Sequence, residues 1–111
     1  MPDTSNTLQR MNDRFRSQIA INRQGAFITS GVAALGWEQV QRIVRTVATF
    51  DDFCHRNDPH SEHDFGAFDV DGIQIFFKID YYDRELAFHS PDPTNPDLTV
   101  RIITIMLASE Y

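Results

Sequence analysis

The sequence predicts an α+β domain: two N-terminal helices packed on one face of an antiparallel β-meander sheet of about four strands. Three observations predict it. Apolar residues recur at steps of three and four in two stretches of the first fifty residues. Asp71-Gly72 separates two long runs of β-branched and aromatic residues. The stretch from Leu98 to Leu107 is apolar on both faces, the pattern of an inner strand.

Leu8, Met11, Phe15 and Ile19 make the first helical stripe, with Thr4, Ser5 or Asn6 as its cap. Arg10, Arg14 and Asp13 fall on the wet side, and Arg16 is expected on a solvated face too. Residues 1–11 are expected to include a frayed end of a single domain that spans 1–111. The pattern fades between Ile19 and Asn22, and Gly25 can supply the positive φ of a turn. Ala26–Thr29 reads as a short strand, and Val32 to Leu35 as an apolar link between Gly31 and Gly36. Trp37, Val40, Val44 and Val47, widened by Ile43 and Phe50, form the stripe of the second helix. That helix should end before Asp51 and Asp52, because acids oppose the macrodipole at a C-terminus.

Residues 54–64 form a polar loop. The hairpin follows, with Val70 opposite Ile73, so that paired residue numbers sum to 143. Phe68, Val70, Ile73, Ile75, Phe77, Ile79 and Tyr81 then share the core face, while Asp69, Gln74, Phe76, Lys78, Asp80 and Tyr82 lie on the other. Leu86–His89 reads as a further strand. Ser90–Asp97, with three prolines, must be a loop.

Length and charge exclude several functions. A chain of 111 residues has no room for a cofactor domain beside a substrate domain. The single cysteine, Cys54, cannot form an intrachain disulfide. There is no leader pattern and no apolar run near the roughly 20 residues of a membrane span, so a cytoplasmic protein without membrane contact is expected. The net charge is −6, unevenly spread. Residues 1–50 hold six arginines against Asp3, Asp13 and Glu38; residues 51–111 hold 13 acids against Arg56, Lys78, Arg84 and Arg101. The acidic half disfavours direct nucleic-acid binding and favours a protein partner with a basic surface.

Two sets of residues carry candidate chemistry. His60, Glu62, His63 and Asp64 are the candidate metal ligands, since imidazole and carboxylate suit a divalent ion. If the hairpin register extends, His63 faces Asp80, and the pair becomes a candidate catalytic couple. The second set is a candidate binding surface of Tyr82, Asp80, Asp83, Glu85 and Asp69, where an aromatic ring sits among acids. No cofactor motif is present, and a divalent metal is the one cofactor these residues allow.

Five strings in order carry a resemblance: Asn12-Asp13-x-Phe15-Arg16; Asn57-Asp58-Pro59-His60-x-Glu62-His63-Asp64-Phe65-Gly66; Lys78-Ile79-Asp80-Tyr81-Tyr82-Asp83; Ser90-Pro91-Asp92-Pro93; and Arg101 to Ala108 followed by x-Glu110-Tyr111. The chain resembles the bacterial family called domain of unknown function three-seven-six-eight, from about Asn12 to the C-terminus. Ser61 stands where that family's pattern has glycine. The resemblance carries no established activity. It implies cargo of chromosomes, plasmids and phages, a setting in which anti-defence proteins occur. The preferred expectation is a small, acidic, non-enzymatic binding protein, an inhibitor of the anti-CRISPR or anti-restriction type that meets a basic partner. The alternatives are a metal-dependent hydrolase built on residues 58–64 and a structural protein, monomeric or homodimeric.

Overall fold

The computed structural model describes residues 7–54 and 56–111. In chain order its elements are α1 (Thr7–Gln18), β1 (Ala26–Ile28), α2 (Ser30–Ala33), α3 (Trp37–Thr49), β2 (Phe65–Val70), β3 (Ile73–Tyr82), β4 (Val100–Leu107) and a closing 3-10 turn, Ala108–Glu110. The expected cap at residues 4–6 lies outside the described residues.

The α+β class holds, with three helices rather than two. The sheet order is β1-β4-β3-β2. The hairpin has the expected register: Val70 pairs Ile73, Phe68 pairs Ile75 and Phe65 pairs Lys78. Asp71 and Gly72 both have positive φ, as a two-residue hairpin turn requires. β4 pairs β3 antiparallel and lies inside the sheet, as its two apolar faces demand.

The expectation of a purely antiparallel meander is corrected. β1 runs parallel to β4, with Ala26 beside Ile103 and Ile28 beside Ile105. No tight turn joins these two strands, so nothing local sets their relative direction. Leu86–His89 is not a strand either. Leu86 has φ 58°, which breaks an extended run, and only one bridge, Tyr82 with His89, remains.

The core follows from two periodicities. On α3, Val40, Ile43, Val44 and Val47 are buried at the i, i+3, i+4, i+7 spacing. On the strands, Ile75, Phe77, Ile79 and Tyr81 alternate inward with Ile103 and Ile105. Each such aliphatic side chain contributes about 1.5–3 kcal/mol on burial. Trp37 does not join them. It opens α3 and is 73% exposed. Gly66 is required by packing, since a Cβ there would collide with the ring of Phe77.

On α1 the buried face is rotated from the expected stripe. Asn12, Arg16 and Ile19 are buried, and Leu8 and Phe15 pack against the core. Arg16 is therefore not solvated. Its Nη1 donates to the Val47 and Phe50 carbonyl oxygens, 2.9 Å each, at the C-terminal end of α3. A guanidinium there satisfies orphan carbonyls and complements the helix dipole, which helps α3 stop just ahead of Asp51 and Asp52.

Candidate functional site

The loop before β2 is shaped by its own side chains. Asp58 is buried, and its Oδ1 accepts the Glu62 and His63 backbone N–H groups at 2.9 and 3.1 Å. Asn57 Oδ1 accepts from the Cys54 N–H, and its Nδ2 donates to the Asp52 carbonyl. Ser61 and His63 both adopt positive φ, 54° and 57°. Glycine adopts that conformation without cost, so Ser61 stands in a position whose backbone favours glycine.

The bend at His63 ends the expected extension of the hairpin. The last rung is Ile79 N–H to the Asp64 carbonyl, 2.8 Å. His63 turns instead toward α1. Its Nδ1 lies 2.8 Å from Asp13 Oδ1, its Nε2 lies 3.6 Å from Asp58 Oδ2, and its ring stacks on Phe53 at 3.8 Å. The same Asp13 oxygen accepts from Arg16 Nη2. So the candidate couple of His63 with Asp80 does not form; the carboxylate partners of His63 are Asp13 and Asp58. An Asp–His pair of this kind fixes the imidazole's tautomer and orientation. Among the described residues, no hydroxyl or thiol hydrogen-bonds to that ring.

A second network lies deeper. Asn12 is fully buried, and its Nδ2 donates to Tyr81 Oη at 2.7 Å and to the Glu62 carbonyl at 3.0 Å. Its Oδ1 accepts from Arg101 Nε at 2.7 Å, while Arg101 Nη2 donates to the Pro93 carbonyl. Tyr81 Oη in turn donates to Glu62 Oε2 at 3.3 Å. The Arg101 guanidinium sits 5.1 Å from the Tyr81 ring centre, a cation–π distance. Burial raises the Tyr81 phenol well above its ordinary value, and burial lowers the Arg101 guanidinium. All five strings quoted above supply a member: Asn12, Glu62, Tyr81, Pro93 and Arg101.

Beside this network opens a cleft of about 320 Å³ along Ile79–Tyr81 of β3, past the end of β2. Glu62, Asp64 and Asp80 line it, with Leu8, Pro93 and the Tyr81 and His89 rings as walls. Among the described residues, no lysine or arginine lines it. Asp64 titrates above the ordinary carboxylate range, first because it is half buried and next because the charges of Glu62 and Asp58 oppose its ionisation. Asp80 has one cationic neighbour, Lys78 Nζ at 3.4 Å, on the exposed surface.

The expected site residues are thus partly brought together. Glu62, Asp64 and Asp80 share the cleft; His63 faces the other way, and His60 is exposed on the loop. Among the described residues, no group of three or more His, Cys, Asp or Glu side chains is arranged to hold a metal ion. Asp80 and Tyr82 point to the same face of β3, and Asp83 and Glu85 follow in the next turn. Asp69 is separate. It pairs with Gln74, six residues along β3 from Asp80, roughly 20 Å at strand rise. Sequence reasoning missed Asn12, Asp13, Arg16 and Arg101 as organisers of the site. The available signal was Asn12 and Arg16 at i+4 steps from Leu8, polar residues set beside an apolar stripe.

Among the described residues, no helix is long and apolar enough to cross a membrane. No curated protein matches the chain, and no solved structure matches it. A family model does match, over residues 28–110, a stretch that includes the cleft carboxylates, Tyr81 and Arg101 but begins after α1. Its description is "Protein of unknown function (DUF3768)", and with about three quarters of its length matched the chain belongs to that family.

Proposed function

We propose that this is a non-enzymatic binding protein that receives a basic side chain of a protein partner in the acidic cleft. The observation that carries this reading is the uncompensated charge of Glu62 and Asp64. Two carboxylates share a half-buried space with Asp80, no lysine or arginine among the described residues lines it, and Asp64 resists ionisation there. A guanidinium or ammonium guest relieves that repulsion. The walls of Leu8 and Pro93 suit the methylene stem of arginine or lysine. The inhibitor role implied by the family resemblance is one form of this function, with a basic nucleic-acid channel as the partner surface.

The test is a calorimetric titration with a hexa-arginine peptide. Glu62→Gln combined with Asp64→Asn should weaken binding roughly tenfold, a loss of about 1.4 kcal/mol. Asp51→Asn combined with Asp52→Asn, which removes equal charge from exposed positions outside the cleft, should change it less than about twofold, since surface charge acts weakly at a distance in salt. Equal binding by wild type and the cleft variant contradicts the reading.

A further inference from the structure

The start of β4 offers a different surface. β1 covers only Ile103–Ile105 of β4, so the start of β4 has a free edge. A cleft of about 530 Å³ opens there, with Phe15, Phe27, Val100 and Ile102 as its apolar lining and Arg84 as its cation. Its size lies in the range of roughly 300–1,000 Å³ typical of occupied sites.

Large exposed apolar side chains lie in its lining or close to it in sequence. Phe27 lines the cleft, Ile21 adjoins its Asn22, Leu98 adjoins its Thr99, and Leu86 and Phe88 follow Arg84. All five are 41–92% exposed, against only Trp37, Ile73 and Tyr111 elsewhere among the described residues. A fully exposed large aromatic presents about 150–250 Å². The five together therefore expose on the order of 500 Å², most of the ~800 Å² that one partner contributes to a standard interface.

The knob beside the cleft is held in shape. Leu86 keeps φ 58°, a costly conformation for a branched side chain. The Leu86 N–H donates to the Asp83 carbonyl, the Ala87 N–H to Asp83 Oδ1, and the Asp83 N–H to the Phe88 carbonyl. That turn points Leu86 and Phe88 into solvent, which costs stability unless something covers them.

We propose that this end of the sheet is the interface between two copies of the chain. Knob and cleft are contiguous in sequence at Arg84, so a two-fold axis seats the Leu86–Phe88 knob of each copy in the cleft of the other. Charge complementarity supports the same arrangement. The knob carries Asp83 and Glu85, while Arg84 lines the cleft and Arg23 lies exposed next to its Gln24. The inference does not rest on the acidic-cleft reading.

Sedimentation equilibrium of the full chain, from micromolar to roughly millimolar concentration, tests it. The wild type should move from 12.8 kDa toward twice that mass. Phe88→Ser in the knob and Phe27→Ser in the cleft should each raise the dimer Kd at least about tenfold. Trp37→Ser, equally exposed but remote in sequence from both, should leave it within about twofold. These side chains are exposed, so the variants should retain the wild-type far-ultraviolet circular dichroism. A mass of 12.8 kDa at every concentration overturns the proposal, as does a dimer indifferent to both phenylalanine substitutions.

Discussion

Asn12 of α1 and Tyr81 of β3 meet through a 2.7 Å hydrogen bond that joins the basic N-terminal half to the acidic C-terminal half. Asn12 also holds Arg101 and the Glu62 carbonyl, so one amide fixes the helix, the loop and two strands together. Asn12→Ala leaves Tyr81 Oη, the Arg101 guanidinium and a carbonyl short of a partner. The expected loss is about 2–4 kcal/mol, since each buried orphan costs about 1–3 kcal/mol. Urea denaturation measures it, with the exposed Arg10→Ala as a control expected within about 0.5 kcal/mol.

Ser61 holds φ 54°. Left-handed backbone costs a non-glycine residue about 1–2 kcal/mol, while glycine's extra freedom in the unfolded chain costs about 0.5–1 kcal/mol. Ser61→Gly should therefore stabilise the protein by up to about 1 kcal/mol. Gln9 Nε2 donates to the Ser61 backbone carbonyl, so the substitution leaves that contact in place. A measured destabilisation would show that the turn is not strained.

Gly66 underlies the ring of Phe77. Gly66→Ala forces that buried ring out of place, and overpacking of this kind costs about 1–3 kcal/mol. Thermal unfolding followed by circular dichroism should show a lowered midpoint.

Asp64 ties stability to pH. Its folded value is raised, so the native state holds the proton more tightly than the unfolded chain does. Its contribution to stability is greatest at acid pH. It falls as pH rises from the ordinary carboxylate range through the raised folded value, and stays low above that. Asp64→Asn removes this dependence. The variant should gain stability relative to wild type as pH rises through that window, while it loses affinity for a basic peptide. Denaturation curves at several pH values compare the two slopes.

How far the sequence revealed the fold depended on the range of the interactions. The hairpin was legible to the residue, because Asp71-Gly72 fixes a local turn and alternation fixes the faces. The interior place of β4 was legible from apolar residues on both its faces. The parallel direction of β1 was not, since three residues carry no signal of a partner lying 77 residues away. Leu86–His89 has the composition of a strand, but the left-handed Leu86 makes a turn of it. At the site, sequence reasoning found the acidic loop and β3 but joined them through His63. The positive φ at that residue swings the imidazole to Asp13 and leaves Glu62 and Asp64 beside Asp80. Backbone reversals of this kind in non-glycine residues are set by surrounding contacts, here the Asp58 carboxylate, and composition does not announce them.

The most direct test of the cleft reading is the titration of the Asp64 side-chain carboxyl, followed by nuclear magnetic resonance with and without saturating hexa-arginine peptide. In the free protein Asp64 should titrate above the ordinary carboxylate range. With peptide bound, the guest cation should bring it down toward or below that range. An Asp64 titration that saturating peptide leaves unmoved would contradict the account.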